Sequence, residues 1–264
     1  MERMGLPDAS RLVFGVVETI DDGRSQASFE ALSEWMRLNS GVSLERRGLR
    51  SYQALTESVR AGKSDVAWLP PVVYARVAEL VNALGHIARG TTSTYSSALV
   101  TLASSRFHDA RDLAALAGAR AGWVDPWSAA GYVAPRLAFA RAGLDPARLF
   151  ASEAFYGSHG DVLHALQRGE CDVVGTHAAV SEAGLQVVAT FESIPSDVIA
   201  ARRSLPAPAY AQASLAFRKA CSCDEGKHLV RAVFGGDDLR EGVAPGHAAF
   251  RRAYERAKLS GLLD

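Results

Sequence analysis

The chain has 264 residues, of which 48% are hydrophobic and 22% are charged, with 29 basic and 29 acidic side chains. This composition predicts a folded chain with a sizeable core, and the length suits two domains better than one. A formal charge of zero without long one-sign blocks argues against nucleic acid as a partner, because phosphate binding requires a basic surplus or stripe.

Apolar runs and helical patterns alternate along the first third of the chain. They predict strands at 12–17, 42–45 and 65–69, and helices between 23 and 41, at 52–60 and at 72–84. Such alternation predicts a mostly parallel sheet with helices on both faces, joined by right-handed crossovers.

The alternation then restarts as a second α/β block. Strands are predicted at 97–102, 121–124, 149–155, 171–174 and 186–191, and helices at 113–117, 132–142 and 162–167. Residues 193–200 are expected to return to the first block, followed by helices at 211–220, 227–234 and 247–259. We therefore predict two lobes with a cleft between them: residues 1–92 plus 196–264, and residues 93–195.

Three strand-to-helix turns carry the candidate binding residues, since ligands of open α/β sheets bind beyond the carboxyl ends of strands. In the segment 125–131, Ser128 is a predicted N-cap, and the amides after it suit an anion; a plain capped helix fits the spacing equally well. His159 is a candidate anion donor that would gain charge at mildly acidic pH, or else a cap or surface residue. Tyr95 either bonds a ligand or packs in the core.

Catalytic, metal and cofactor motifs are missing from the sequence. There is no G-x-S-x-G, H-E-x-x-H, G-x-x-x-x-G-K-[ST] or G-x-G-x-x-G, and the histidines are scattered singly. Cys171, Cys221 and Cys223 give neither a disulfide framework nor a zinc ligand set. We therefore predict no catalytic residue, no metal and no cofactor.

The termini and hydropathy bear on location. Asp8, Arg11 and Glu18 interrupt the first residues, so no secretory signal is recognised, and no apolar run is long enough for a membrane span. The expectation is either an export signal already removed or a cytoplasmic protein. We also expect a monomer.

Several short segments, in order, carry a family resemblance: FGVV at 14–17, GKSDVAW at 62–68, YSSALV at 95–100, DPWSAAGY at 125–132 and IPSD at 194–197. Over roughly residues 12–260 the chain resembles the phosphate- and phosphonate-binding proteins of ABC transporters. These form the PhnD-like group of type 2 periplasmic binding proteins. The resemblance implies a two-lobed fold, a periplasmic or cell-envelope location, and an ABC permease as partner.

The resemblance also implies site residues. In the family, a serine-rich loop, tyrosines and a histidine hold the phosphonate, and carboxylates across the cleft take the amino group of the ligand. Ser128 and Gly131 match that loop, Tyr95 one tyrosine, His159 the histidine and Asp197 one carboxylate.

The chain departs from this pattern at four places. Ala129 and Ala130 replace two hydroxyl residues, and Leu69 stands where the other tyrosine is expected. Beside His177 the second carboxylate has no match, the nearest residue being Ala179. A carboxylate or a more apolar anion therefore fits the altered pocket as well as a phosphonate does.

The leading functional prediction is a solute-binding protein without catalytic activity that closes around a small anion, serving ABC-type uptake. One alternative is an enzyme of small-molecule or cofactor metabolism on the same fold, with His159 or Asp197 as acid or base. The other is a domain that binds a ligand in order to signal.

Overall fold

A computed structural model describes residues 10–18, 25–109, 112–180, 182–236 and 238–263. The chain divides into two compact units. The first unit contains Met1–Ser93 and Ser196–Ala244, and the second contains Thr94–Pro195 and Pro245–Asp264.

The secondary structure alternates as the sequence predicts. The first passage contains β1 Ser10–Val17, α1 Ser25–Ser40, β2 Val42–Leu49, α2 Tyr52–Arg60, β3 Val66–Leu69, α3 Pro71–Val77 and β4 Val81–Ala88. The second contains β5 Thr94–Leu102, β6 Arg120–Trp123, α4 Ala134–Arg141, α5 Pro146–Leu149, β7 Ser152–Phe155, α6 His159–Gln167, β8 Val173–His177 and β9 Leu185–Pro195. The last contains β10 Val198–Arg202, α7 Ala207–Ala220, α8 Asp224–Phe234, β11 Asp238–Arg240 and α9 His247–Leu259.

The first unit is built on a six-stranded sheet in the order β11-β4-β10-β3-β1-β2. Its core follows from the apolar spacing of α1, whose Phe29 packs on Phe14 of β1 with ring centroids 5.2 Å apart. Phe234 of α8 lies 6.0 Å from the same ring, so one cluster joins the sheet to both helices. Such packing of an apolar helix face supplies most of the stability of a helix in a protein.

The second unit is built on a five-stranded sheet in the order β7-β6-β8-β5-β9. Trp123 is fully buried at the end of β6, and its indole nitrogen donates to Oε2 of Glu153 over 2.7 Å. The Tyr132 and Phe150 rings each meet Trp123 edge-on at 5.7 Å. The end of β6 is thereby held rigidly, and the turn that follows starts from a fixed point.

Both sheets are mixed, whereas the sequence predicted mostly parallel sheets. In the first, β10 is antiparallel to β3 and β4, and β11 is antiparallel to β4. In the second, β5 is antiparallel to both β8 and β9. These antiparallel strands lie next to the places where the chain passes between the units, so the alternation of strand and helix carries no signal for them.

Two predicted elements are wrong in part. The helix predicted over 72–84 ends at Val77, and Val81–Ala88 is a strand that is almost wholly buried. A continuous apolar run fits a buried helix and a buried strand equally, so periodicity cannot separate them. The strand predicted over 149–155 starts only at Ser152, because Asp145 caps the short helix α5.

The C-terminal segment differs from the predicted lobe boundaries. Residues 196–264 were all expected in the first lobe, but Pro245–Asp264 belongs to the second unit. The reason is packing, since α9 contacts α4 and β9. The remaining boundaries, after residue 93 and before residue 196, fall within one residue of those predicted.

Candidate ligand-binding site

The turn after β6 has the geometry of a helix start. The Ser128 hydroxyl accepts a hydrogen bond from the Gly131 amide over 3.0 Å, which confirms the predicted N-cap. The Tyr132 and Val133 amides both donate to the Ser128 carbonyl, and the resulting wide π-helical turn, Ala129–Val133, continues directly into α4. Within the described part of the chain, the Ala129 and Ala130 amides have no acceptor, as the first amides of a helix usually do not.

Two glycines allow this turn to lie against the sheet. A Cβ on Gly131 would come within 2.5 Å of the Val124 Cβ and 2.9 Å of the Ser128 hydroxyl oxygen. A Cβ on Gly175 of β8 would come within 2.8 Å of the Gly131 carbonyl oxygen and of the Trp123 ring. The small residues therefore set how closely the turn approaches β8.

Sheet topology brings the other candidates of the second unit to the same place. Strands β6, β7 and β8 are mutually parallel and β5 is antiparallel to β8, so three carboxyl ends and the amino end of β5 meet at one side of the sheet. We call this side the polar rim; it is formed by the segments 95–98, 124–131, 156–160 and 175–178. It contains Tyr95, Ser128, Ala129, Ala130, His159 and His177.

Hydrogen bonds join the segments of the polar rim. The Ser97 hydroxyl donates to the Ala130 carbonyl over 2.6 Å, and Ser97 is the register partner of His177. The Nδ1 atom of His159 lies 2.8 Å from the Thr176 hydroxyl. Sequence reasoning missed Ser97 and Thr176, because their roles arise only when strands distant in the chain become neighbours.

The two histidines of the polar rim lie side by side, with ring centroids 5.0 Å apart. Burial, and then repulsion from His177, lowers the pKa of His159 to about 3. The expectation that His159 gains charge at mildly acidic pH is therefore wrong. The imidazole still offers neutral hydrogen-bonding atoms to a ligand.

Asp125 adds a carboxyl group to the polar rim. Its Oδ1 accepts from the Trp127 amide over 2.7 Å, while burial raises its pKa above the usual value. Asp125 is fixed by the turn itself, because the Ser128 amide donates to the Asp125 carbonyl over 2.9 Å. Tyr95 and Trp127 are half-buried.

The first unit holds the other two predicted contacts, Leu69 and Asp197. Leu69 ends β3 and is fully buried. Asp197 lies just before Val198, the register partner of Leu69, and its Oδ2 accepts from the Trp68 indole nitrogen over 2.8 Å. Burial raises the pKa of Asp197 to about 6, an effect that the Trp68 hydrogen bond and the Arg89 charge reduce.

A surface depression of about 310 Å³ in the second unit is lined by residues that include Arg106, Cys171 and Asp172, none of which was predicted to bind ligand. Over the described ranges, no group of three or more His, Cys, Asp or Glu is arranged to hold a metal ion. Among the same residues, no helix has the length and apolar character needed to cross a bilayer.

Solved structures show the same fold. A binding protein component of an ABC phosphonate transporter from Pseudomonas aeruginosa aligns with a TM-score of 0.81 at 19% identity, covering 96% of this chain and 89% of that one. PhnD1 from Prochlorococcus marinus, in complex with methylphosphonate, aligns with a TM-score of 0.81 at 14% identity, covering 95% and 99%. The periplasmic aliphatic sulphonate binding protein SsuA from Escherichia coli aligns at 0.62 and 13% identity, covering 98% and 89%.

A comparison with curated proteins returned no match. The assignment comes from a family model. The model for the periplasmic substrate-binding protein of phosphonate ABC transporters matches residues 14–242, which is most of the chain. The predicted resemblance is thereby confirmed, and the chain belongs to the family of periplasmic substrate-binding proteins of phosphonate ABC transporters.

Proposed function

We propose that this chain binds a small oxyanion at the polar rim of its second unit and releases it unchanged. The observation that carries the proposal is a pair of amides, those of Ala129 and Ala130, which start a helix and have no acceptor among the described residues. Such amides and the helix dipole favour negative charge. The family match supports a transported solute as the ligand.

The chemistry of the polar rim supports binding without catalysis. The Ser128 hydroxyl accepts from the Gly131 amide and acts as a cap, while the nearest described partner of His159 is Thr176 and not a serine. A nucleophilic serine needs a base within hydrogen-bonding reach. Incubating the ligand with the protein and recovering it unaltered is the expected result, and turnover that disappears in His159→Ala would instead support an enzyme.

The proposed ligand class contains phosphonates, phosphate and carboxylates. PhnD1, which shares the fold, was solved with methylphosphonate. In this chain the side chains at Ala129 and Ala130 are buried methyl groups, so recognition depends on the main chain more than on hydroxyls. Tyr95, His159 and His177 are the proposed side-chain contacts of the second unit, and Leu69 and Asp197 stay predictions for the first.

A ligand panel tests the proposal directly. Preferential binding to the folded protein raises its melting temperature, so a member of the panel should produce a shift that grows with its concentration. Isothermal titration of the same compound then gives the affinity. Absence of any shift across phosphonates, phosphate, sulfonates and carboxylates would remove the basis of the proposal.

The role of the main chain can be isolated with Ala129→Pro. Proline suits the first position of a helix, and Ser128 already has φ −74° and ψ 117°, which a following proline accepts. The substitution deletes one amide donor, and a hydrogen bond to a charged group contributes about 1.5–3 kcal/mol. We expect the affinity to fall roughly 10- to 100-fold.

Ala129→Ser is the matched control, because it changes the side chain and keeps the amide. Because Ala129 is buried, the melting temperature of each variant without ligand is measured first, and the two affinities are compared only between folded variants. Equal affinities for the two variants would show that the Ala129 amide does not contact the ligand.

The proposed partner is an ABC permease and the proposed location is the periplasm, both following from the family. Cell fractionation tests the location. Uptake of the ligand after loss of the gene tests the transport role, since a sensing role would leave uptake intact.

A further inference from the structure

The polar rim lacks side chains with a permanent positive charge. None of its four segments, 95–98, 124–131, 156–160 and 175–178, contains lysine or arginine, and all four are described throughout. Two carboxylates stand in or next to these segments: Asp125 in the Ser128 turn and Asp161 in the first turn of α6. An anion bound here would therefore meet no formal cation on these segments.

The hydrogen-bond donors of the polar rim are main-chain amides, hydroxyls and imidazoles, none of which carries a permanent charge. The Ala129 and Ala130 amides are dipoles, and a helix start is equivalent to only about half a positive charge. The imidazoles of His159 and His177 are 5.0 Å apart, so two imidazolium ions would repel each other strongly. Burial and this neighbour keep His159 uncharged near neutral pH, since its pKa is lowered to about 3.

We infer that the polar rim takes an oxyanion with a single negative charge and discriminates against one with two. Sulfonates, carboxylates and phosphonates that keep one proton all share this chemistry. The inference rests on the proposed function, because it names the ligand class of the same site.

The physical reason is charge balance. One negative charge is matched by main-chain dipoles and neutral donors, as at other helix starts. A second charge would have no cation on these segments and would be repelled by Asp125 and Asp161. Withdrawing an unpaired charge from water costs several kcal/mol, which exceeds what one additional neutral hydrogen bond returns.

Calorimetric titration of the full chain with two similar anions tests this inference. Methylphosphonate carries one charge at about pH 6 and mainly two at about pH 8.5, whereas methanesulfonate and acetate keep one charge at both. The two fixed monoanions report any titration of the protein itself, including that of Asp125. If only the singly charged phosphonate binds, its apparent affinity falls about tenfold for each pH unit above its second pKa, relative to these monoanions.

Asp161→Asn provides a test from the side of the protein. Removing this negative charge should raise the affinity for methylphosphonate at about pH 8.5 by a few-fold. The affinity for methanesulfonate should rise by less, because a dianion is repelled about twice as strongly as a monoanion. Equal effects on the two ligands would count against the inference.

The outcomes separate the two claims. If the affinity for methylphosphonate, relative to the monoanions, is the same at high pH as at low pH, the single-charge inference is wrong. The proposed function is not affected by that result. Binding of methylphosphonate with no binding of either monoanion overturns it as well. If none of the three anions binds at either pH value, the proposed function itself is contradicted.

Discussion

Asp197 and Asp172 are two carboxyl groups whose pKa values the fold moves in opposite directions. Burial raises the pKa of Asp197 to about 6 from 3.8. The Arg120 guanidinium, which lies 2.8 Å from Oδ1 of Asp172, holds the pKa of that carboxyl below its usual value. The two groups therefore contribute to stability with opposite dependence on pH.

For Asp197, the folded state binds the proton more tightly than the unfolded state does. Its contribution to stability is fully present below the unfolded pKa and is lost as the pH rises through about 6. Asp197→Asn cannot ionise, yet it keeps an oxygen for the Trp68 indole. Measured by denaturant unfolding without ligand, the variant should gain up to about 3 kcal/mol over the unsubstituted protein near pH 7, and little near pH 4.

Asp172→Asn is the control with the reverse sign. The depressed pKa of Asp172 means that its contribution is present above the unfolded pKa and is lost as the pH falls. This variant should therefore lose stability near pH 7, by a small amount because the pair with Arg120 is exposed to solvent. A loss of stability in both variants near pH 7 would mean that Asp197 is not penalised by burial.

Some residue-scale features follow from sequence and others do not. The cap at Ser128 could be predicted because it is local: a serine between a strand and a helix accepts from the amide three residues later. The low pKa of His159 could not be predicted, because it arises first from burial and then from His177, and both depend on the folded sheet. The Trp68–Asp197 hydrogen bond joins residues that are 129 positions apart, and no local pattern marks it.

At the scale of elements, the start of the helix after β6 depends on a residue without a side chain. Gly131 lies in the π-helical turn, where an added Cβ would approach Val124 of the preceding loop and the capping hydroxyl. Both neighbours are buried, so neither can move away without cost. The wide turn and its cap thus require glycine at this position for steric reasons, not for backbone freedom.

Gly131→Ala should therefore destabilise the protein by about 1–3 kcal/mol, as overpacking in a buried site does. It should also weaken ligand binding, because the Ser128 turn shifts with the added methyl. Gly160→Ala is the matched control at another helix start, where the nearest atom to an added Cβ is the Ser158 hydroxyl oxygen at 3.8 Å. Thermal unfolding of both variants checks the difference, and equal stability would show that the turn adapts freely.

The elements themselves were predicted unevenly, for a physical reason. Helices α1, α2 and α9 were located well because their apolar faces repeat at helical spacing and capping or glycine residues mark the ends. Strands β4, β10 and β11 were missed or mistaken: β4 lies in an apolar run that fits a helix as well, β10 lies in the segment interpreted as the return to the first block, and β11 has only 3 residues. Their conformation is decided by partners, which a local pattern does not contain.

At the scale of the whole molecule, the division into two units was predicted, but the last twenty residues were placed in the wrong one. Alternation of strands and helices shows where each α/β block begins, because every block needs its own sheet. It does not show where a terminal helix packs, since an amphipathic face fits any apolar surface. In the structure α9 contacts α4 and β9, and its buried residues are His247, Tyr254 and Ala257.

This placement predicts that damage to α9 weakens the second unit and not the first. Tyr254 is 3% exposed, so Tyr254→Ala should cost about 3 kcal/mol as a large side chain lost from a core. Leu259, on the same helix, is 89% exposed, and Leu259→Ala should change stability by no more than about 0.5 kcal/mol.

Native-state hydrogen exchange locates the damage, because separately packed units open separately. In Tyr254→Ala the amides of β9 and α4 should lose protection, while those of β1 and β2 keep theirs. Loss confined to β1 and β2 would place α9 with the first unit after all. An equal loss of amide protection in every strand would mean that the protein unfolds in a single cooperative step. The substitution in α9 would then lower the stability of both units alike.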